Sequence, residues 1–183
     1  MVGYNNSSTI RRSLPPIFKH RQAIDMIYYE TGSPETSLSE DDLRKGMVAA
    51  LEKMGEKQKV LVIPPDYTRL PSRSGELTEY CWQHMGDRIT DILPALGTHT
   101  PMTDEQISHM FGATPKELFR IHDWRNDVIT RGTVPAEFVK QVTGGACDFT
   151  WPAQVNKLLV EGDFDLILSI GQVGPHEVVG MAK

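Results

Sequence analysis

Val60-Leu61-Val62-Ile63-Pro64-Pro65-Asp66-Tyr67-Thr68-Arg69 is the stretch that decides the fold. Its four apolar residues run on without polar alternation and are closed by two prolines, which predicts a short strand buried on both faces. Such strands belong to parallel sheets covered by helices. Upstream, Ser39 stands ahead of Glu40-Asp41-Asp42, acids suited to the positive end of a helix, and Leu43, Met47, Leu51 and Met54 follow at helical spacing until Gly55. Downstream, Ser74-Gly75 lead into Leu77, Cys81 and Met85 at four-residue intervals, and Gly86 ends that helix.

The alternation continues toward the C-terminus. Ile89 to Leu96 is a second apolar run, weakened by Pro94. Thr103 with Gln106 three positions on is a capping box, ahead of the stripe Ile107, Met110 and Phe111. Thr114-Pro115-Lys116-Glu117 predicts another helix with proline in its first turn. Val128-Ile129 reads as a short strand, and residues 132–157 as loop around Gly144-Gly145, with room for one short helix from Pro135 to Val142. Leu166 to Ile170 is a last buried strand. The first 38 residues, rich in Asn, Ser, Pro and Gly, read as an extended arm with one strand in the weak apolar pattern from Ile17 to Tyr29. The expected organisation is an arm over 1–38 and, over 39–183, an α/β domain with a Rossmann-like, largely parallel sheet flanked by helices.

Composition agrees with this and excludes much else. A chain of 183 residues can bury a full core without disulfides, and 39% apolar with 23% charged residues is globular. Acidic residues outnumber Lys plus Arg by 24 to 19 and the basic ones are scattered, so no nucleic-acid or membrane partner is expected. No apolar run approaches the roughly 18 residues of a membrane span. Cys81 and Cys147 have no paired spacing, and Arg11-Arg12 precede no signal-like apolar stretch, so a cytoplasmic location is expected. Oligomeric state is left open.

In an open parallel sheet the ligand crevice lies beyond the carboxyl ends of the strands. Three segments occupy such positions: Asp66-Tyr67-Thr68-Arg69, Gly97-Thr98-His99-Thr100-Pro101 and Gly171-Gln172-Val173-Gly174-Pro175-His176. Each has a bland alternative. Asp66 and Arg69, three apart in a turn, can pair with each other or cap the next helix, and a lone histidine after a strand is more often structural than catalytic. Two histidines at equivalent strand ends change the balance, because imidazole shuttles protons near neutrality and inversion at a carbon calls for one such group on each side. His99, His176 and Asp66 could instead share a metal, but no HxH or HExxH spacing supports this, so no protein-only metal site is expected. Gly171-x-x-Gly174 is not a dinucleotide fingerprint. His20, His84, His109 and His122 read as surface or satisfied core residues.

Taken in order, Asp66-Tyr67-Thr68-Arg69, Ala95-Leu96-Gly97-Thr98-His99 and Gly171-Gln172-Val173-Gly174-Pro175-His176 resemble the N-terminal domain of the lactate racemase family, from about Lys57 to Ala182. The resemblance implies a two-domain 2-hydroxy acid racemase or epimerase, an isomerase that uses a tethered nickel-pincer nucleotide as hydride acceptor. It implies His99 and His176 as the paired acid/base groups, Asp66 and Arg69 as substrate-binding residues, and Thr98 and Gly174 as cofactor-binding residues. The cofactor lysine, the nickel-binding histidine and the C-terminal domain, this domain's partner, lie beyond Lys183 in relatives. The cofactor is therefore expected in the full-length enzyme and not on this chain alone. Where many relatives have arginine after Gly-Thr-His, this chain has Thr100, which implies a substrate larger than lactate or differently charged. The alternative is a non-catalytic α/β domain that binds an organic acid or phosphate.

Overall fold

The computed structural model describes residues 26–175 in full and the backbone of 176 and 180–182. Its centre is a parallel sheet of three strands, β1 (Val60–Ile63), β2 (Ile89–Ile92) and β5 (Leu166–Ser169), in the order β2-β1-β5. Val60, Leu61 and Val62 are fully buried, as a central strand without polar alternation requires. Helices α1 (Glu40–Lys53) and α2 (Ser74–Met85) bring Leu51, Cys81 and Met85 onto Val60, Val62, Ile89 and Ile92, and this cluster is the core.

The helix ends follow local chemistry. Ser39 accepts a hydrogen bond from the Asp42 amide while the Asp42 carboxylate accepts one from the Ser39 amide. Thr103 and Gln106 make the same reciprocal cap for α3 (Asp104–Phe111). Gly75 is where α2 meets α3, since a Cβ there would lie 1.9 Å from the Met110 carbonyl oxygen. Only glycine permits that approach.

The structure corrects several expectations. The second strand stops at Ile92, although the amides of Leu93 and Ala95 still bond the carbonyls of Val62 and Pro64; Pro94, which has no amide hydrogen, interrupts the ladder. No helix follows Thr114. Pro115 is extended, a single 3₁₀ turn spans Lys116–Leu118, and Phe119 then bridges Ile92, because the chain there joins the free edge of β2. The 128–157 region holds β3 (Val128–Val134) paired antiparallel with β4 (Trp151–Asn156), with α4 (Ala136–Val142) between them. A short helix α5 (Leu158–Glu161) precedes β5. β5 is an edge strand, not a fully buried one: Ile167 is 41% exposed while Leu166 and Leu168 pack on the core.

The chain closes with the antiparallel pair β6 (Gly174–His176) and β7 (Gly180–Ala182). The strand expected between Ile17 and Tyr29 lies largely outside the described residues; from Met26 to Leu38 the backbone is irregular with one turn, and Tyr29 lies against Gly46 of α1. Among the described residues no helix is long and apolar enough to cross a membrane.

Candidate functional site

Because β2, β1 and β5 run parallel, the segments that leave their carboxyl ends emerge on one side of the sheet. β1 has its sequence neighbour β2 on one flank and the late strand β5 on the other, so the chain reverses direction of growth at β1, and there the crevice opens. A cleft of about 440 Å³ lies at this point, lined by Asp66, Arg69, Ser72, His99, Gln172 and Gly174 among others. All three strand-end segments singled out in the sequence contribute to it.

Asp66 is the first residue past Pro64-Pro65 and is only 5% exposed. Its Oδ1 accepts from the Thr68 amide at 3.2 Å and from the Thr68 hydroxyl at 2.5 Å, and it thereby caps the 3₁₀ turn Tyr67–Ser72. Its Oδ2 lies 2.6 Å from Nδ1 of His99. Burial pushes the Asp66 carboxyl up, but the hydrogen bonds from Thr68 and His99 outweigh it, and the carboxyl is held below its ordinary value of 3.8. An ionised carboxylate only accepts, so Nδ1 of His99 must carry the hydrogen. In neutral His99 the lone pair is then on Nε2. The histidine side chain is 58% exposed, in contrast to its buried partner. A base held by a buried carboxylate through its far nitrogen is the arrangement used for general acid/base work.

His99 reaches Asp66 because of Gly97. The His99 amide bonds the Leu96 carbonyl at 2.9 Å across a tight turn, and Gly97 takes a positive φ of 57° at its second position. Arg69 is exposed on the cleft wall, and its guanidinium has no ion pair among the described residues. The pairing of Asp66 with Arg69 that the sequence left open is thus not made through their side chains. They are joined only by the Arg69 amide on the Asp66 carbonyl, at 3.0 Å. Gly174 lines the cleft, whereas Thr98 sits in the exposed turn outside it. His176 is described only as backbone in β6, next to the lining residue Pro175. Ser72 and Gln172 join the cleft without having been singled out: Ser72 lies in a turn whose fold the sequence did not reveal, and Gln172 was quoted only as part of a motif.

Among the described residues no group of three or more His, Cys, Asp or Glu is placed to hold a metal ion, and no lysine lines the cleft. His84, on α2, is not a cleft residue, nor are His109 and His122, which pair with Tyr67 and Asn156; His20 lies outside the described residues.

Residues 45–182 match the family model of the lactate racemase N-terminal domain. The chain belongs to this family. Two solved structures share its fold. A protein from Thermotoga maritima is 32% identical with a TM-score of 0.70, covering 84% of this chain and 37% of its own. The lactate racemase apoprotein from Thermoanaerobacterium thermosaccharolyticum is 26% identical with a TM-score of 0.56, covering 80% of this chain and 35% of its own. The matched part of this chain thus spans little more than a third of either relative. No curated protein matches it.

Proposed function

We propose that this domain forms the acid/base and carboxylate-binding wall of a racemase or epimerase of 2-hydroxy acids. One observation carries the reading: a buried carboxylate, Asp66, holds the Nδ1 side of a cleft-lining histidine while an arginine without an ion pair among the described residues stands on the same wall. A 2-hydroxy acid presents both complements. Its carboxylate suits the two-pronged guanidinium of Arg69, and its hydroxyl proton suits the Nε2 lone pair of His99. Racemisation at the carbinol carbon requires that this proton leave as the carbon is oxidised and return when it is reduced from the other side. His99 takes and returns the proton for one enantiomer, and His176, carried over from the family motif, does so for the other. Asp66 keeps His99 in the tautomer that the task needs and stabilises its imidazolium form.

The family implies a nickel-pincer nucleotide, which when bound supplies the hydride acceptor. The described residues do not fit the role of its anchor, since they place no lysine on the cleft and no metal-holding cluster anywhere. They fit the wall that faces the substrate. In relatives of more than twice this length, the remaining polypeptide is available for the anchor and the second wall.

The test is racemisation of lactate and bulkier 2-hydroxy acids by the full-length cofactor-loaded protein. His99→Gln should abolish steady-state inversion of either enantiomer, and Arg69→Lys should raise KM about tenfold or more with a smaller change in kcat. Normal rates in both directions for His99→Gln would overturn the two-histidine reading.

A further inference from the structure

The 3₁₀ turn Tyr67–Ser72, which presents Thr68 and Arg69 to the cleft, has little of its own to hold it. It buries no residue, its helical run is broken at Arg69 (φ −107°, ψ 24°), and Pro71 inside it offers no amide hydrogen. Beside the Asp66 cap at its start and the Ser72–Ser74 hydroxyl contact at its end, Tyr67 ties it to α3. The Tyr67 hydroxyl lies 2.7 Å from Nδ1 of His109, and the two rings are 5.8 Å apart at a tilt of 49°. His109 is in the last turn of α3, and the turn and α3 together line a second cavity of about 370 Å³ through Leu70, Pro71, His109 and Met110.

Helix α3 is also the element that follows the His99 loop directly, with only Thr100 to Thr103 between them. One end of α3 therefore continues from the acid/base residue, and its other end grips the turn that carries the cation. We propose that Tyr67 and His109 are positioning residues of the cleft: their hydrogen bond fixes the distance between Arg69 and His99 by tying both loops to one rigid helix. Neither touches the cleft contents. The inference rests on the reading of the cleft as a 2-hydroxy acid site, and it adds to that reading the contact that sets its geometry. Among the described residues the Arg69 guanidinium has no ion-pair partner, so within them its placement depends on the backbone beneath it. If that backbone is loose, substrate must order it on binding, and the loss is expected in affinity more than in turnover.

Two measurements test this, and they fail separately. In the first, amide hydrogen exchange is followed by NMR in the ligand-free chain and in Tyr67→Phe, which keeps the ring and removes the hydroxyl. The Thr68 and Arg69 amides, both bonded to Asp66, should exchange roughly tenfold faster, with β1 unchanged. Equal acceleration in β1 and in the turn, or none in either, would overturn the proposal. In the second, racemisation by the full-length loaded protein of whichever of lactate and bulkier 2-hydroxy acids it turns over should show KM raised on the order of tenfold by Tyr67→Phe and by His109→Leu, kcat much less affected, and KM restored in His109→Asn, whose amide can stand in for Nδ1. A fall in kcat with KM unchanged, or failure of His109→Asn to restore KM, would refute a positioning role. Absence of racemisation in the unsubstituted enzyme would refute the functional reading instead, and the exchange data would still decide whether the contact holds the turn.

Discussion

Replacing Asp66 by asparagine changes one atom group and should alter His99 more than the fold. Asparagine keeps an oxygen for Thr68, but toward His99 it turns an amide NH₂, and two donors would then meet across 2.6 Å. The neutral imidazole relieves the clash by moving its hydrogen to Nε2 and accepting at Nδ1. The base then faces the buried side and is lost to the cleft. A hydrogen bond to a charged group contributes about 1.5–3 kcal/mol, and water can replace the carboxylate at the exposed histidine, so the lower end applies. At about 2–4 °C per kcal/mol for a domain of this size, melting should fall by roughly 3–6 °C. Turnover should fall far more, on the order of 10³–10⁴-fold, because the wrong tautomer removes the base altogether. Imidazole ¹⁵N shifts of the isolated chain report the tautomer without cofactor: Nδ1–H in the parent and Nε2–H in Asp66→Asn. A variant that keeps Nδ1–H and melts at the parent temperature would refute the inference that Asp66 sets His99.

Acid should weaken the same contact: the folded carboxyl of Asp66 lies below its unfolded value, so its stabilisation is fully present above about pH 4 and lost as pH falls through the folded value, and the melting difference between parent and Asp66→Asn should shrink below pH 3.8. Gly75→Ala places a methyl group 1.9 Å from the Met110 carbonyl oxygen and should cost about 1–3 kcal/mol or more in thermal or denaturant unfolding; unchanged stability would mean that α2 and α3 are not so closely packed. Burial pushes the Cys81 thiol up to about 12, so iodoacetamide at pH 8 should label Cys147 alone in the folded chain and both cysteines in guanidinium, and labelling of both in the native state would contradict the core assignment.

The core was legible because its signals are local. The run Val60 to Ile63, the Ser39 and Thr103 caps and the glycines after each helix can be read within a few residues, and the structure has each of them in place. β4 was not legible. Trp151-Pro152-Ala153-Gln154-Val155-Asn156 carries a proline and is mostly exposed, so no apolar alternation marks it, and its partner lies across α4. The helix expected after Thr114 failed because Phe119 gains more by bridging Ile92 than a few residues gain as helix, a preference set by the sheet and not by the local sequence. For the site, motif positions at strand ends were enough to assemble the cleft, but the contacts inside it were not legible. Asp66 meets His99 across 33 positions and Tyr67 meets His109 across 42, and neither pairing leaves a mark in the spacing of the chain.

The position of β5 also has a consequence for biosynthesis. Asp165, immediately before β5, accepts from the amides of Gln58 and Lys59 at 2.8 and 3.0 Å, closing a loop of 106 positions ahead of the β1 to β5 ladder. Loop length itself adds little, since each doubling costs only about 0.6 kcal/mol, but the contact cannot form until those residues have left the ribosome. Chains arrested at Glu161 should therefore remain protease-sensitive around β1, and chains long enough to expose Ile170 should not. Until then α1, β1, α2 and β2 can collapse on one another with β1 still an open edge, which is a hazard for a growing chain. Gly171 to Pro175 follow β5 directly, so of the three strand-end segments that line the cleft this one is synthesised last, and a nascent chain lacks it until β5 has joined the sheet.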